Sequence, residues 1–228
     1  MPVYTNVNYV NFSAVYRLER KLSTAPQALF ASFRQAERRR SVKSMNKSIS
    51  PPIGKSIVLI GLMGAGKTCV GKRLARLCNI PFADADDEVV KSAGCSIEDI
   101  FELYGEAAFR DGERKVIHRL LDGEPLVLAT GGGAFMDPDI RAMIADKGIS
   151  VWLRAELDVL FRRTQRRGGR PLLNNGDPRA TLAALMEKRY PVYQQADIIV
   201  DTGDDPADTT TGRVLKGLER NTGNEAAR

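Results

Sequence analysis

One histidine and three cysteines are all that this 228-residue chain offers toward imidazole or thiolate chemistry. Cys69, Cys78 and Cys95 are odd in number and lack the CxxC spacing of a metal site. They read as free thiols of a reducing cytosol. His118 stands alone between Ile117 and Arg119 on a helical pattern, which makes it a surface residue rather than an acid–base device. No apolar run approaches the roughly 20 residues of a membrane span, and no apolar core of secretory type is present. No internal repeat is found.

The formal charge of +6 and pI near 9.3 raise the question of a nucleic-acid partner. The charge is unevenly placed. Residues 1–50 carry nine Lys or Arg and two Glu, a net of +7, whereas the remaining 178 residues hold 25 basic and 26 acidic side chains, a net of −1. The basicity belongs to the tail, so the folded part is expected to bind neither nucleic acid nor membrane. The tail, with "RLERKL" and "RQAERRRSVKSMNKS", is weakly periodic, and Ser and Pro near residues 48–52 read as a linker. Three readings stay open for residues 1–52. They are a basic extension expected to be disordered, a start at Met45, and an Arg- and Ser-rich organelle transit peptide. The folded domain is expected over residues 53–228, cytoplasmic unless the tail is such an address.

From residue 56 onward, short β-rich runs alternate with helical patterns. "SIVLIGL", "IPFADA", "PLVLAT", "ISVWLR" and "DIIVDT" read as strands. "KTCVGKRLARLCN" spaces Val70, Leu74 and Leu77 on one helical face. "SIEDIFELYGEAAFRDGERKVIHRLLDG" reads as one long amphipathic helical region, opened by a capping box of Ser96 and Asp99. "DPDIRAMIADKG", a segment from about Glu156, residues 179–195 and the chain's last stretch complete the helices, and Trp152 reads as core. This alternation predicts an α/β fold, a parallel sheet with helices on both faces.

The first strand runs into "GLMGAGKT", Gly61 to Thr68, which matches GxxxxGK[ST] in full. Gly64, Ala65 and Gly66 would turn their N–H groups toward phosphate oxygens, Lys67 would neutralise the outer phosphates, and Thr68 offers a hydroxyl to Mg²⁺. DxxG and NKxD, the marks of a GTPase, do not occur between residues 56 and 228, nor does LSGGQ. A compact small-molecule kinase remains.

The acceptor side begins at "FADADDE", residues 82–88, with four carboxylates in five positions. If the segment stays extended, alternation sends Asp84 and Asp86 to the same side. "ATGGGAF" places Gly131, Gly132 and Gly133 on the same rim, either as a strand-exit turn or as a surface on which a ligand lies. Arg110 shares a helix face with Glu106 and Glu113, either as an ion-pair ladder or as a carboxylate clamp held by Glu113. "RRTQRRGGRPLL" gathers Arg163, Arg166, Arg167 and Arg170, either as a basic helix end or as a lid over ATP at about residues 165–178.

In this order and spacing, "GLMGAGKT", "DADDEV", "SIEDIFELYGEAAFRDGE", "TGGGAF", "RRTQRRGGRPLL" and "EKRYPVYQQAD" resemble the shikimate kinase family over roughly residues 56–220. The resemblance implies a nucleoside-monophosphate-kinase fold with a five-stranded parallel sheet in the order 2-3-1-4-5. It implies transfer of the γ-phosphate of ATP to the 3-hydroxyl of shikimate, on the chorismate route to aromatic amino acids, by an expected monomer. It makes Asp86 the substrate-hydroxyl ligand and candidate base, and Asp84 the acid reaching Mg²⁺ through water. Arg110, Gly132, Gly133 and Arg189 would hold shikimate, the two arginines taking its carboxylate. Lys67 and Arg170 would act on the phosphates, and Arg163 would stack on adenine. "DTGDDPAD" occupies the adenine-loop position but is acidic there. A kinase for another polyol acid such as gluconate, or a nucleotide-binding module without turnover, are the alternatives.

Every one of these motifs lies beyond residue 56. Deleting residues 1–50 is therefore expected to leave kcat and KM for shikimate nearly unchanged in steady-state assays. An unfolded or inactive product would show that the domain needs the tail.

Overall fold

The computed structural model describes residues 54–165 and 177–225. The central strand is β1 (Ser56–Ile60), an unbroken apolar run buried along its whole length. Strands covered on both faces carry such runs, because neither face meets water. β3 (Val127–Ala129) and β4 (Gly148–Arg154) flank it, with β2 (Phe82–Asp84) and β5 (Ile198–Asp201) outside them. All pairings are parallel and the order is β2-β3-β1-β4-β5, as the family resemblance implied.

Seven helices among the described residues connect and cover the strands: α1 (Lys67–Cys78), α2 (Ala85–Ala93), α3 (Ile97–Leu121), α4 (Pro138–Lys147), α5 (Leu157–Gln165), α6 (Pro178–Tyr193) and α7 (Ala207–Glu225). Val70, Leu74 and Cys78 on α1 are buried, while Leu77 is partly exposed at 38%. The expected capping box opens α3, with Ser96 and Asp99 exchanging backbone N–H bonds at 3.1 Å each. Trp152 lies in the core at 1% exposure, and His118 is exposed beside Asp122.

The long region from Ser96 is helical as expected, with one interruption at Gly105 (φ 79°, ψ 172°) inside α3. That backbone region is open to glycine and strained for other residues. One sequence expectation, on the acids, is corrected. β2 stops at Asp84 and α2 begins at once, so Asp84 and Asp86 do not sit on one side of an extended segment. Asp84 is the N-cap of α2 and accepts the Asp86 N–H at 3.2 Å. An aspartate before a helix satisfies one of its orphan donors, and Asp86, Asp87 and Glu88 then fall in the first turn, where the helix dipole favours negative charge.

This topology places the site. β1 and β3 are neighbours, so the phosphate loop after β1 and the glycine run after β3 leave the sheet side by side. Ligands of open α/β sheets bind outside the carboxyl ends of the strands.

Leu74 is fully buried between α1 and the sheet. Leu74→Ala should lower unfolding free energy by about 2–5 kcal/mol in urea titration. A loss below 1 kcal/mol would show that α1 is not packed as described.

Candidate active site

A cleft of about 1070 Å³ opens at the carboxyl ends of the strands. It is lined by the phosphate loop, Asp84, Asp86, Arg110, Glu113, the glycines 131–133, Arg163 and Arg189. Of the residues that the family resemblance assigned to nucleotide, metal or substrate, all but Arg170 lie on it. Arg170, together with Arg166, Arg167 and most of the expected lid, lies outside the described residues.

On one wall, Gly66 is the N-cap of α1 at φ 99° and makes no side-chain cap, leaving the first N–H groups of the helix to a ligand. Such a terminus favours an anion through both its N–H groups and its dipole. Lys67 Nζ curls over the loop, donating to the carbonyls of Gly61 at 2.7 Å and Leu62 at 3.1 Å. Thr68 Oγ1 donates to Asp84 Oδ2 at 2.8 Å, which ties the end of β2 to the loop.

Arg163 is anchored more firmly than the sequence suggested. Its Nη1 donates to the carbonyls of Gly64 (3.2 Å) and Ala65 (3.4 Å) and to Thr202 Oγ1 (3.2 Å), and its Nη2 to the Gly203 carbonyl. These bonds use the edge of the guanidinium, whose donors lie in its plane. The arginine thus braces the phosphate loop against the loop after β5. Thr202 lies in the "DTGDDPAD" stretch expected at the adenine-loop position, though its bond to Arg163 had no signal in the sequence.

The opposite wall rests on three glycines, each beside a different charged group. A Cβ on Gly131 would stand 2.5 Å from Glu113 Oε1 and 2.8 Å from Asp86 Oδ1. On Gly132 it would stand 3.2 Å from Arg189 Nη1, and on Gly133 2.6 Å from Arg110 Nη1. A side chain at Gly131 or Gly133 would force these charged groups to shift, and one at Gly132 would crowd Arg189.

Arg110 donates to Glu113 Oε2 at 2.7 Å and to Glu106 Oε1 at 3.2 Å, the pairing expected from their spacing on α3. The depth of Glu113 was not legible from spacing. Its side chain is 1% exposed, and Oε1 has no hydrogen-bond partner. Burial pushes the Glu113 carboxyl upward against the pull of Arg110, and the nearby Asp86 charge adds to the rise. Burial also raises Asp86, followed by repulsion from Asp84, while Lys67 and Arg110 act in the other direction. A half-buried acid raised in this way is a better proton acceptor than one in water.

Residues 63–219 match the shikimate kinase family model. The chain belongs to the shikimate kinase family. A shikimate kinase of Paramagnetospirillum magneticum is 57% identical over 170 residues, covering 75% of this chain and 87% of the relative. One from Caulobacter vibrioides is 49% identical over 176 residues, covering 77% and 88%. Among solved structures, a shikimate kinase from Acinetobacter baumannii in complex with shikimate superposes with a TM-score of 0.71. It is 36% identical and is matched over 76% of this chain and 96% of its own. As a family member this chain is an ATP-using kinase.

The glycine wall yields a prediction. Gly133→Ala should push Arg110 from its place and raise KM for the acceptor at least tenfold, with KM for ATP nearly constant. Gly112 lies in α3 with open space around its α-carbon, so Gly112→Ala should keep full activity and gain roughly 0.5–1 kcal/mol of stability. Equal kinetics for both variants would show that the close approach at Gly133 has no functional weight.

Proposed function

We propose that the protein transfers the γ-phosphate of ATP to the 3-hydroxyl of shikimate, giving shikimate 3-phosphate and ADP, a step toward chorismate and the aromatic amino acids. The observation that carries this reading is the meeting of the phosphate loop, Asp86 and the two arginines around one glycine wall. A compact hydroxylated acid would span it. Its carboxylate would lie between Arg110 and Arg189, since guanidinium groups grip carboxylates in bidentate fashion. Its reacting hydroxyl would lie at Asp86, with Gly132 and Gly133 as the floor.

The phosphates would be held by the N–H groups of Gly64, Gly66 and Lys67 and by the Lys67 ammonium, with the Ala65 N–H, here donating to the Leu62 carbonyl at 3.1 Å, turning to join them. Phosphoryl transfer relies chiefly on positioning and charge stabilisation, so the absence of a histidine device is no obstacle. Asp86 would orient the hydroxyl and take its proton. Arg163 would offer its face to adenine, and Arg170 is assigned from the sequence to the transferring phosphate.

Magnesium fits the hard oxygens at the loop. Among the described residues no group of three or more His, Cys, Asp or Glu forms a cage. The Thr68 hydroxyl and Asp84 carboxylate, 2.8 Å apart, supply a small oxygen pair instead. Mg²⁺ usually keeps several waters and takes phosphate oxygens besides one or two protein ligands. When bound, the ion supplies charge neutralisation at the β- and γ-phosphates. A cytoplasmic monomer with neither nucleic-acid nor membrane partner completes the proposal, resting on the −1 charge of residues 51–228 and the unpaired thiols.

A coupled ADP-release assay offering shikimate and gluconate side by side tests the reading. Shikimate should be strongly preferred, and a preference for gluconate would overturn it. Asp86→Asn should lose about 10²–10⁴ in kcat, because the amide cannot accept the proton. Asp87→Asn, on an exposed side chain, should lose little. Because the folded state raises the Asp86 pKa, its contribution to stability is present at low pH and lost as pH rises through that value. The neutral amide escapes that loss, so Asp86→Asn should melt no lower than the parent at pH 7. Comparable kcat in the two variants would mean that another acid of the cluster acts.

A further inference from the structure

Gly132 carries a second donor that neither the motifs nor the arginine clamp account for. Arg189 Nη1 donates to the Gly132 carbonyl at 2.9 Å, and the Tyr193 hydroxyl donates to the same oxygen. Arg189 and Tyr193 stand four residues apart on α6, hence on one helix face. A carbonyl oxygen has two lone pairs, and here both are taken. The peptide unit is planar, with its N–H opposite its carbonyl. Holding the Gly132 oxygen from two directions therefore fixes the whole Gly132–Gly133 peptide in the cleft wall.

We infer that Tyr193 is a positioning residue for the acceptor: with Arg189 it saturates the Gly132 carbonyl and so sets both the glycine wall and the seat of the Arg189 guanidinium. The inference rests on the kinase reading above and adds a residue to it. Tyr193 does not touch the reacting atoms. It acts through Gly132 and Arg189, which line the cleft.

The surroundings suit this task. The ring is 1% exposed and packs edge-on against Trp152 at 5.8 Å and Phe135 at 6.3 Å between centroids. A ring clamped in this way has one place to put its hydroxyl. Burial drives the phenol up to about 12, so it stays a donor throughout the working range of a kinase. The neighbouring Tyr190 provides a matched control. It packs on the same Trp152 and donates its hydroxyl to the Ala155 carbonyl, away from the glycines.

The experiment compares Tyr193→Phe with Tyr190→Phe in the full chain. Each keeps its ring and loses one hydroxyl donating to a backbone carbonyl. Shikimate and ATP kinetics, thermal melting, and a shikimate titration followed by fluorescence of Trp152, the sole tryptophan, are measured for both. Tyr193→Phe should raise KM and Kd for shikimate about 5- to 10-fold, the scale of one lost hydrogen bond, with KM for ATP within twofold of the parent. Tyr190→Phe should lower the melting temperature without moving the shikimate constants. The inference is overturned if Tyr193→Phe leaves shikimate KM and Kd within twofold, or if Tyr190→Phe shifts them equally. In the latter case the aromatic cluster acts only as core. A parent enzyme that ignores shikimate would instead sink the kinase reading, so the two failures are distinguishable.

Discussion

Charge compensation over three consecutive glycines is the constraint on which the rest of the site depends. Asp86 and Glu113 are withdrawn from water, and each would be costly to keep ionised there alone. Arg110 opposes the rise of both and Lys67 that of Asp86, while Arg110 and Arg189 stand close against Gly133 and Gly132 on the same backbone. Removing Arg110 would leave the Glu113 carboxylate buried without its partner, which destabilises more than the pair itself stabilises. The arrangement is therefore held as a unit. Glu113 orients Arg110, the Gly132 carbonyl orients Arg189, and the glycines keep the space in which both guanidiniums lie.

The sheet makes that unit possible at the phosphate loop. β1 and β3 pair in parallel with Leu59 opposite Ala129, so their carboxyl ends finish level. β2 pairs outside β3 with Asp84 opposite Ala129, which brings the first acid to the same rim. The phosphate loop, the Thr68–Asp84 oxygen pair and the glycine wall thus come from three adjacent strand ends. Each is set by backbone pairing rather than by long side chains reaching inward. The brace from Arg163 to the loops after β1 and β5 extends the same rim to the far side of the sheet.

Much of this was legible in the sequence because it was written locally. The phosphate loop, the capping box at Ser96 and Asp99, and the Arg110–Glu113 pair are all short-range patterns whose geometry follows from helix and turn rules. What was illegible depends on packing between distant segments. Spacing placed Glu113 beside Arg110 but could not show that Gly131, eighteen positions on, would seal one of its oxygens from water. The bond from Tyr193 to Gly132 spans 61 positions and has no local signature beyond its four-residue offset from Arg189. Gly105 could have been read as a break, since glycine inside a helix is unfavourable by about 1 kcal/mol relative to alanine. The helical segments on either side of it concealed the interruption.

The cluster at residues 84–88 shows why the wrong local geometry gave the right neighbours. Extended alternation would have stacked Asp84 and Asp86 on one side, with their repulsion left to the ligands. The helix start disperses the acids instead, since successive positions turn by about 100°. Asp84 caps the helix with one oxygen and accepts from Thr68 with the other. Asp86 turns inward to Gly131, Asp87 faces water, and Glu88 pairs with Lys91 and Arg119. Two of the four acids, Asp84 and Glu88, thus find separate partners before any ligand arrives, Asp87 is solvated, and the helix dipole favours those in its first turn. The density that looks intolerable along the chain is tolerable in space, and it leaves a single acid of the four, Asp86, facing the glycine wall.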